Sequence, residues 1–463
     1  MTIFSWVLAL VSSLFALPVL ASEGVLPPPD SGLIGWAVIG LFVLAYGVVL
    51  LEEKIHLRKS KPVTVAAGLI WILVAIAYTM EGRGAESVIL IRQTVLEYAE
   101  LLLFLLAAMT YVNVLEERGV FDALRTKMIN QGLSTRAMYW FCGTFAFFLS
   151  PIADNLTTAL ILGSVSLAVG KGNPKFIIAS CVNVVVAANA GGVFSPFGDI
   201  TTLMVWQKGV VPFTTFFNLF IPALISWLIP AFVLSLTIPE SHTKNRHKKI
   251  VIRRGGIAII FLFLFTITLT VILHNTLHLP PFLGMMTGLG LLKIYGYMIN
   301  KKETALFAED ITCNRKQPFN IFVSLKRIEW DTLFFFYGII MCVGGIGALG
   351  YLVTVSEFFY TGLGETTTHT LIGVASAIIG NVPVTYAVLS MDQTLSHGQW
   401  LLVTLTAGIG GSLLSIGSAA GVALMGQARG IYTFGAHLKW AWAILIGYLA
   451  GIGAHLVINQ GMF

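Results

Sequence analysis

Charge is what this sequence has least of. Asp, Glu, Lys and Arg make up 11% of its 463 residues, against 56% hydrophobic, and the mean hydropathy is +0.85. Cysteine is scarce as well. Cys142, Cys181, Cys313 and Cys342 stand without CxxC or CxxxC spacing, three of them in apolar runs. That excludes a disulfide framework and a zinc site, and leaves small apolar packing as their role. No cofactor is indicated. Lys and Arg are missing ahead of the first apolar run, residues 3–20, although Val19-Leu20-Ala21 before Ser22 resembles a signal-peptidase site. A cleaved signal and a retained first helix both fit, and either leaves the Pro-rich stretch 22–32 outside the cytoplasm.

Long apolar runs are what is there instead. They fall near 33–51, 63–80, 94–115, 214–237, 255–275, 281–299, 328–350 and 440–458. Each is long enough to cross a hydrocarbon core of ~30 Å, so the chain reads as an all-α polytopic membrane protein. Longer runs at 137–169, 175–206, 370–395 and 399–428 carry Pro, Gly or polar interruptions. Split at Ser150-Pro151, 137–150 and 154–169 would each reach only about 21–24 Å, which points to a re-entrant hairpin. The stretch 175–206 can cross even with its middle, 190–198, unwound.

Basic residues test that layout. With 52–62 cytoplasmic and each hairpin returning to its own side, the loops 52–62, 116–136, 170–175, 240–254, 300–327 and 429–439 all face the cytoplasm. They hold 24 of the 28 Lys and Arg residues, as the positive-inside rule requires. One continuous crossing at 137–169 would destroy the bias. The +6 net charge therefore reports topology, and no nucleic-acid partner is implied. The chain divides into an N-terminal signal or first helix with an external segment (1–32), a first repeat (33–238), a basic cytoplasmic linker (239–254) and a second repeat (255–463). The repeats run in opposite senses, each with five spans, a re-entrant hairpin and one broken helix.

Two carboxylates break the apolar rule. Asp154 lies in Ser150-Pro-Ile-Ala-Asp154-Asn155-Leu-Thr-Thr158, and Asp199 in Asn189-Ala-Gly-Gly-Val-Phe-Ser195-Pro-Phe-Gly-Asp199-Ile-Thr-Thr202. A charge at the bilayer centre costs at least ~2.5–3.5 kcal/mol, so such residues are candidate functional groups. The Pro and Gly beside them break the helix, which lipid tolerates only where the chain lines a cavity. Ser150-x4-Asn155 recurs as Ser376-x4-Asn381, and Gly191-Gly192-x5-Gly198-Asp199 recurs as Gly410-Gly411-x5-Gly417-Ser418. Inverted repeats with discontinuous helices place an ion site where the breaks meet.

These segments, with Gly410-Gly411-Ser412-x2-Ser415-Ile-Gly417-Ser418, resemble the NhaD-type sodium/proton antiporters of the ion transporter superfamily, over essentially 33–458. The resemblance implies a multi-pass protein of a bacterial cytoplasmic membrane and a homodimer with a scaffold and a moving transport domain. It implies export of Na⁺ or Li⁺ in exchange for H⁺. Its functional polar positions match Ser150, Asp154, Asn155, Asn189, Asp199, Thr201, Thr202, Ser376, Asn381, Ser415 and Ser418. The residue chemistry agrees, because Na⁺ needs carboxylate, amide, hydroxyl and carbonyl oxygens. The negative C-terminal ends of half-helices are expected to help hold the cation. Gly380 and Ser418 replace the two carboxylates in the second half, so charge balance falls to the first half alone.

Other residues have plainer readings. Asp154 and Asp199 could be helix caps only. Glu97 and Glu100 either snorkel to the interface or serve proton access, with Glu100 the deeper. His437 and His242 read as solvated loop residues, with pH sensing the alternative, and the aromatics as lipid-facing or interfacial. Rival functions are a Na⁺-coupled dicarboxylate symporter of the same superfamily, an arsenite or neutral-solute exporter, and an intramembrane aspartyl protease. Two Asp would repel a dicarboxylate, and no Lys or Arg occurs within 137–170, 176–207 or 366–428. The protease reading fails on Pro196-Phe-Gly-Asp199, which lacks the first Gly of Gly-x-Gly-Asp.

Overall fold

The computed structural model describes residues 28–29, 32–55, 57–240, 250–309, 320–391 and 393–463. The expected signal or first helix, most of the basic linker, His242 and Cys313 lie outside them. Among the described residues every element is helical. The chain begins with α1 (Gly32–Leu50), α2 (Ser60–Met80), α3 (Gly84–Glu117) and α4 (Val120–Ile129). Next come α5 (Thr135–Ala153), α6 (Asn155–Val169), α7 (Pro174–Gly192), α8 (Ile200–Gln207) and α9 (Phe220–Ser235). Then follow α10 (Gly256–Leu277), α11 (Pro281–Glu309), α12 (Trp330–Ala348) and α13 (Tyr351–Leu363). The last are α14 (Glu365–Ile379), α15 (Asn381–Leu389), α16 (His397–Gly410), α17 (Ala419–Gln427) and α18 (Ala441–Ile458). Nine helices among the described residues are long and apolar enough to cross a bilayer. The protein is a multi-pass, all-helical membrane protein.

The chain forms two compact units. The first holds the described residues of 1–99, 329–371 and 382–395, and the second those of 100–328, 372–381 and 396–463. In the first, α12 lies on α2 where Gly338 faces Val63 and Gly345 faces Ile70. Missing side chains bring the backbones close, the usual route to helix association without a hydrophobic driving force. Trp71 Nε1 then donates to the Met341 carbonyl at 2.9 Å, and Tyr78 hydroxyl to that of Ala348 at 2.8 Å.

The second unit repeats the device. Gly284 and Gly288 of α11 lie against Thr270 and Thr266 of α10, and Gly447 and Gly451 of α18 against Ser226 and its turn on α9. Tyr111 hydroxyl donates to the Gly288 carbonyl at 2.7 Å. Ile257, Phe261 and Phe265 point outward from α10. In water they would form an adhesive stripe, whereas lipid solvates them.

Several sequence expectations need correction. The break in 137–169 falls at Asp154, and Pro151 lies inside α5. A proline near a helix end removes only one bond, here to the carbonyl of Phe147 four residues back. Helix α3 starts at Gly84, ten residues before the apolar run. Its first turn is polar, which hydropathy does not register but a helix accepts. Arg83 pairs there with Glu86 at 2.7 Å. Helix α13 was not foreseen, since its apolar stretch is too short to span. The aromatics are not simply lipid-facing. Phe147, Phe194, Phe220 and Trp227 make a ring cluster inside the second unit, Phe147 and Trp227 stacked at 5.3 Å. His437 is no solvated loop residue, being wholly buried.

Candidate cation site

Local sequence sets each break. Ser134, Asn173 and Ser396 cap the starts of α5, α7 and α16 by accepting from Ala137, Phe176 and Gln399 backbone N–H groups. Helix α7 ends on the pair Gly191-Gly192 and α16 at Gly410, with Gly411 as its C-cap, and the chain resumes as helix after an irregular stretch, at Ile200 and Ala419. Gly192 and Gly198 face each other across the first break, and Gly411 and Gly417 across the second; a Cβ on Gly192 would stand 2.8 Å from the Gly198 oxygen, and on Gly411 2.9 Å from the Gly417 oxygen. A Cβ on Gly191 would overlap the Phe147 carbonyl oxygen, and one on Gly410 that of Gly373. Ser150 donates to the Ala188 carbonyl at 2.6 Å, and Ser376 to that of Ala407 at 2.7 Å. Phe147 and Gly373 precede those serines by three residues, as Ala188 and Ala407 precede Gly191 and Gly410. The two halves thus share one local geometry.

Asp199 is the centre of the hydrogen bonding. It caps α8, 4% exposed, and accepts from Thr201 N at 3.3 Å. Asn155 Nδ2 donates to its Oδ2 at 3.1 Å, and Asn381 Nδ2 to Oδ1 and Oδ2 at 3.1 and 3.0 Å. Asn155 and Asn381 are the first residues of α6 and α15. Three half-helix N-termini therefore bring a carboxylate and two amides together. An N-terminus carries partial positive charge and stabilises the Asp199 carboxylate itself.

The remaining candidates take different places. Asp154 caps α6, accepting from Thr157 N at 2.7 Å and Thr157 Oγ1 at 2.9 Å. Asn189 Oδ1 accepts from Asn155 Nδ2 at 3.0 Å, while its Nδ2 donates to Ser412 Oγ at 2.8 Å. Thr202 Oγ1 donates to the carbonyls of Ser195 and Asp199, at 2.9 and 2.7 Å. Thr201 Oγ1, two residues after Asp199, is buried with no hydrogen-bond partner among the described residues. Ser418 caps α17 through Gly421 N, and Ser415 Oγ lies 3.1 Å from Met425 Sδ. Glu97 is in the first unit, where Tyr386 hydroxyl donates to it at 2.9 Å, and Glu100 is in the second. Ser412 stands in the quoted second-half motif, after Gly410-Gly411, but was not among the expected site residues.

Comparison with known proteins bears on this arrangement. A family model described as "Citrate transporter" matches residues 1–408. A protein named Na⁺/H⁺ antiporter NhaD from Alkalimonas amylolytica is 51% identical over 472 aligned positions, covering 99% of this chain and 98% of that protein. One of the same name from Halomonas elongata is 49% identical over 471, covering 99% and 95%. Sodium/proton antiporter 1 of Arabidopsis thaliana is 31% identical over 439, covering 91% and 72%. These are transporters, which disposes of the protease reading. With half its residues shared end to end, the chain belongs to the NhaD-type sodium/proton antiporter family.

Proposed function

We propose that the chain exchanges Na⁺, and Li⁺ with it, for H⁺, the ions competing for Asp199 with Asp154 beside it. The observation that carries this reading is the pair of amides, Asn155 and Asn381, that converge on one buried carboxylate. A carboxylate only accepts, so both amides present Nδ2 to it. A Na⁺ at Asp199 repels those N–H groups. A half-turn of each amide then offers Oδ1, turning two donors into oxygen ligands. Turning Asn155 also uncovers Asn189 Oδ1. Ser150, Thr201, Thr202, Ser376, Ser415 and Ser418 complete the polar lining. A proton on Asp199 removes the charge that holds the cation, and a bound cation excludes the proton.

The citrate description of the family model favours an anion instead, but the geometry argues against it. The donors that would hold a citrate carboxylate are already taken by Asp199. The shared geometry of the two halves supports inverted repeats at 33–238 and 255–463, joined by 239–254, with re-entrant hairpins at α5–α6 and α14–α15. The family relationship supports a homodimer in the cytoplasmic membrane, and Glu97 and Glu100 are candidates for proton access.

Na⁺-driven dissipation of a pH gradient in everted vesicles tests the reading. Asp154→Asn and Asp199→Asn should each abolish it with the protein still in the membrane. Asn381→Ala and Ser418→Ala should raise the half-saturating Na⁺ concentration and alter the pH profile less. Exchange at the wild-type level by both Asp variants would sink the assignment.

A further inference from the structure

His437 lies outside the residues assigned above. It sits in the short helix Phe434–Leu438, wholly buried. Its Nε2 is 2.8 Å from the Ser412 carbonyl oxygen and its Nδ1 is 2.6 Å from the Tyr432 hydroxyl. A carbonyl only accepts, so Nε2 carries the hydrogen. In the neutral ring Nδ1 then accepts from the Tyr432 O–H, and one tautomer satisfies both nitrogens.

The place of Ser412 gives this bond its consequence. Ser412 follows Gly411 in the irregular stretch between α16 and α17, and among the described residues no backbone N–H reaches its carbonyl. The imidazole is the partner that the broken helix fails to supply. The Ser412 hydroxyl meanwhile accepts from Asn189 Nδ2 at 2.8 Å, which leaves Asn189 Oδ1 facing Asn155 at 3.0 Å. From Asn155 the chain ends on Asp199 at 3.1 Å. A series of hydrogen bonds, linked at Ser412 by the covalent path from its carbonyl to its hydroxyl, runs from Tyr432 through His437, Ser412, Asn189 and Asn155 to the carboxylate.

We infer that His437 is a positioning residue of the cation site: it fixes the Ser412 backbone, so that the Ser412 hydroxyl holds Asn189 with its amide oxygen turned toward the ion. The inference rests on the reading of Asp199 as the Na⁺ site. It assigns His437 an effect on ion affinity without any contact with the ion and without a change in its own charge. A packing role would depend on ring volume alone. A positioning role depends on the Nε2–H, which a glutamine amide reproduces at similar reach.

The test compares His437→Leu with His437→Gln in the full chain, reconstituted in liposomes. The leucine variant should raise the half-saturating Na⁺ concentration roughly five-fold, as loss of one buried hydrogen bond implies, with the maximal rate little changed. Glutamine should restore it. Backbone amide exchange over 411–418, read by mass spectrometry, should quicken with leucine and return to the wild-type rate with glutamine. Unchanged Na⁺ half-saturation and amide exchange in the leucine variant would overturn the inference, as would equal defects with leucine and glutamine. Should the leucine variant not reach the membrane, Tyr432→Phe tests the same series: a raised half-saturation supports it and an unchanged one refutes it. Failure of the Na⁺ reading shows separately, as a wild-type protein without Na⁺-driven proton movement. The amide-exchange comparison still decides whether His437 holds the break.

Discussion

At the scale of single residues, Asp154 and Asp199 carry the same charge and do different work. Asp199 gathers amides from two half-helices, whereas Asp154 spends its oxygens on Thr157. Asp154 also holds φ +57° with ψ 162°, a region almost reserved for glycine, and Gly380 at the matching place has φ +95°. Such a conformation costs about 1–3 kcal/mol. Capping alone would not justify that cost, since glycine adopts the turn freely. Asp154→Gly should therefore melt within ~1 kcal/mol of wild type, lost cap offsetting relieved strain, yet lose Na⁺-driven proton movement. Melting in detergent and transport in vesicles check the two halves of this statement. A transporting glycine variant would reduce Asp154 to a cap.

At the scale of elements, glycines decide how near α5 and α14 come to α7 and α16. Gly191 and Gly410 each meet a carbonyl oxygen where any Cβ would overlap it, while Gly426 on α17 has nothing within 4 Å. Backbone cannot yield as a flexible side chain does. Gly191→Ala and Gly410→Ala should each lower stability by about 1–3 kcal/mol or more, and Gly426→Ala should leave it unchanged or raise it by up to ~1 kcal/mol. Thermal unfolding of the purified variants gives the comparison. Equal behaviour of all three would mean that the close approach is absent.

At the scale of the whole molecule, the proposed inverted plan turns on whether the pairs α5–α6 and α14–α15 return to the side they enter from. The bias of basic residues requires Arg136 and Lys171 on the cytoplasmic side and Glu365 and His397 on the outer side. In a cysteine-free background, Arg136→Cys and Lys171→Cys should escape an impermeant thiol reagent added to intact cells. Glu365→Cys and His397→Cys should react with it. A split result within either pair would turn that hairpin into a crossing and remove the inverted plan.

Apolar runs, the Gly-Gly and Pro-Gly interruptions and the recurrence of Ser-x4-Asn were legible in the chain because each depends on neighbours a few residues apart. They were enough to place the nine helices that, among the described residues, are long and apolar enough to span, although a tenth expected at 399–428 is not one of these, and to mark Asp154, Asn155, Asp199 and Asn381. Helix starts at polar turns, as at Gly84, were not, because hydropathy measures lipid and not helix. Only the tertiary structure decided which carboxylate is central, since the Asn381–Asp199 bond joins residues 182 positions apart. The same holds for His437, which looks like any loop histidine until Ser412, 25 residues away, meets its Nε2. Local pattern determines where a helix must form and break. Which broken ends meet, and whose hydrogen bonds are left to be satisfied there, is a property of the packed molecule.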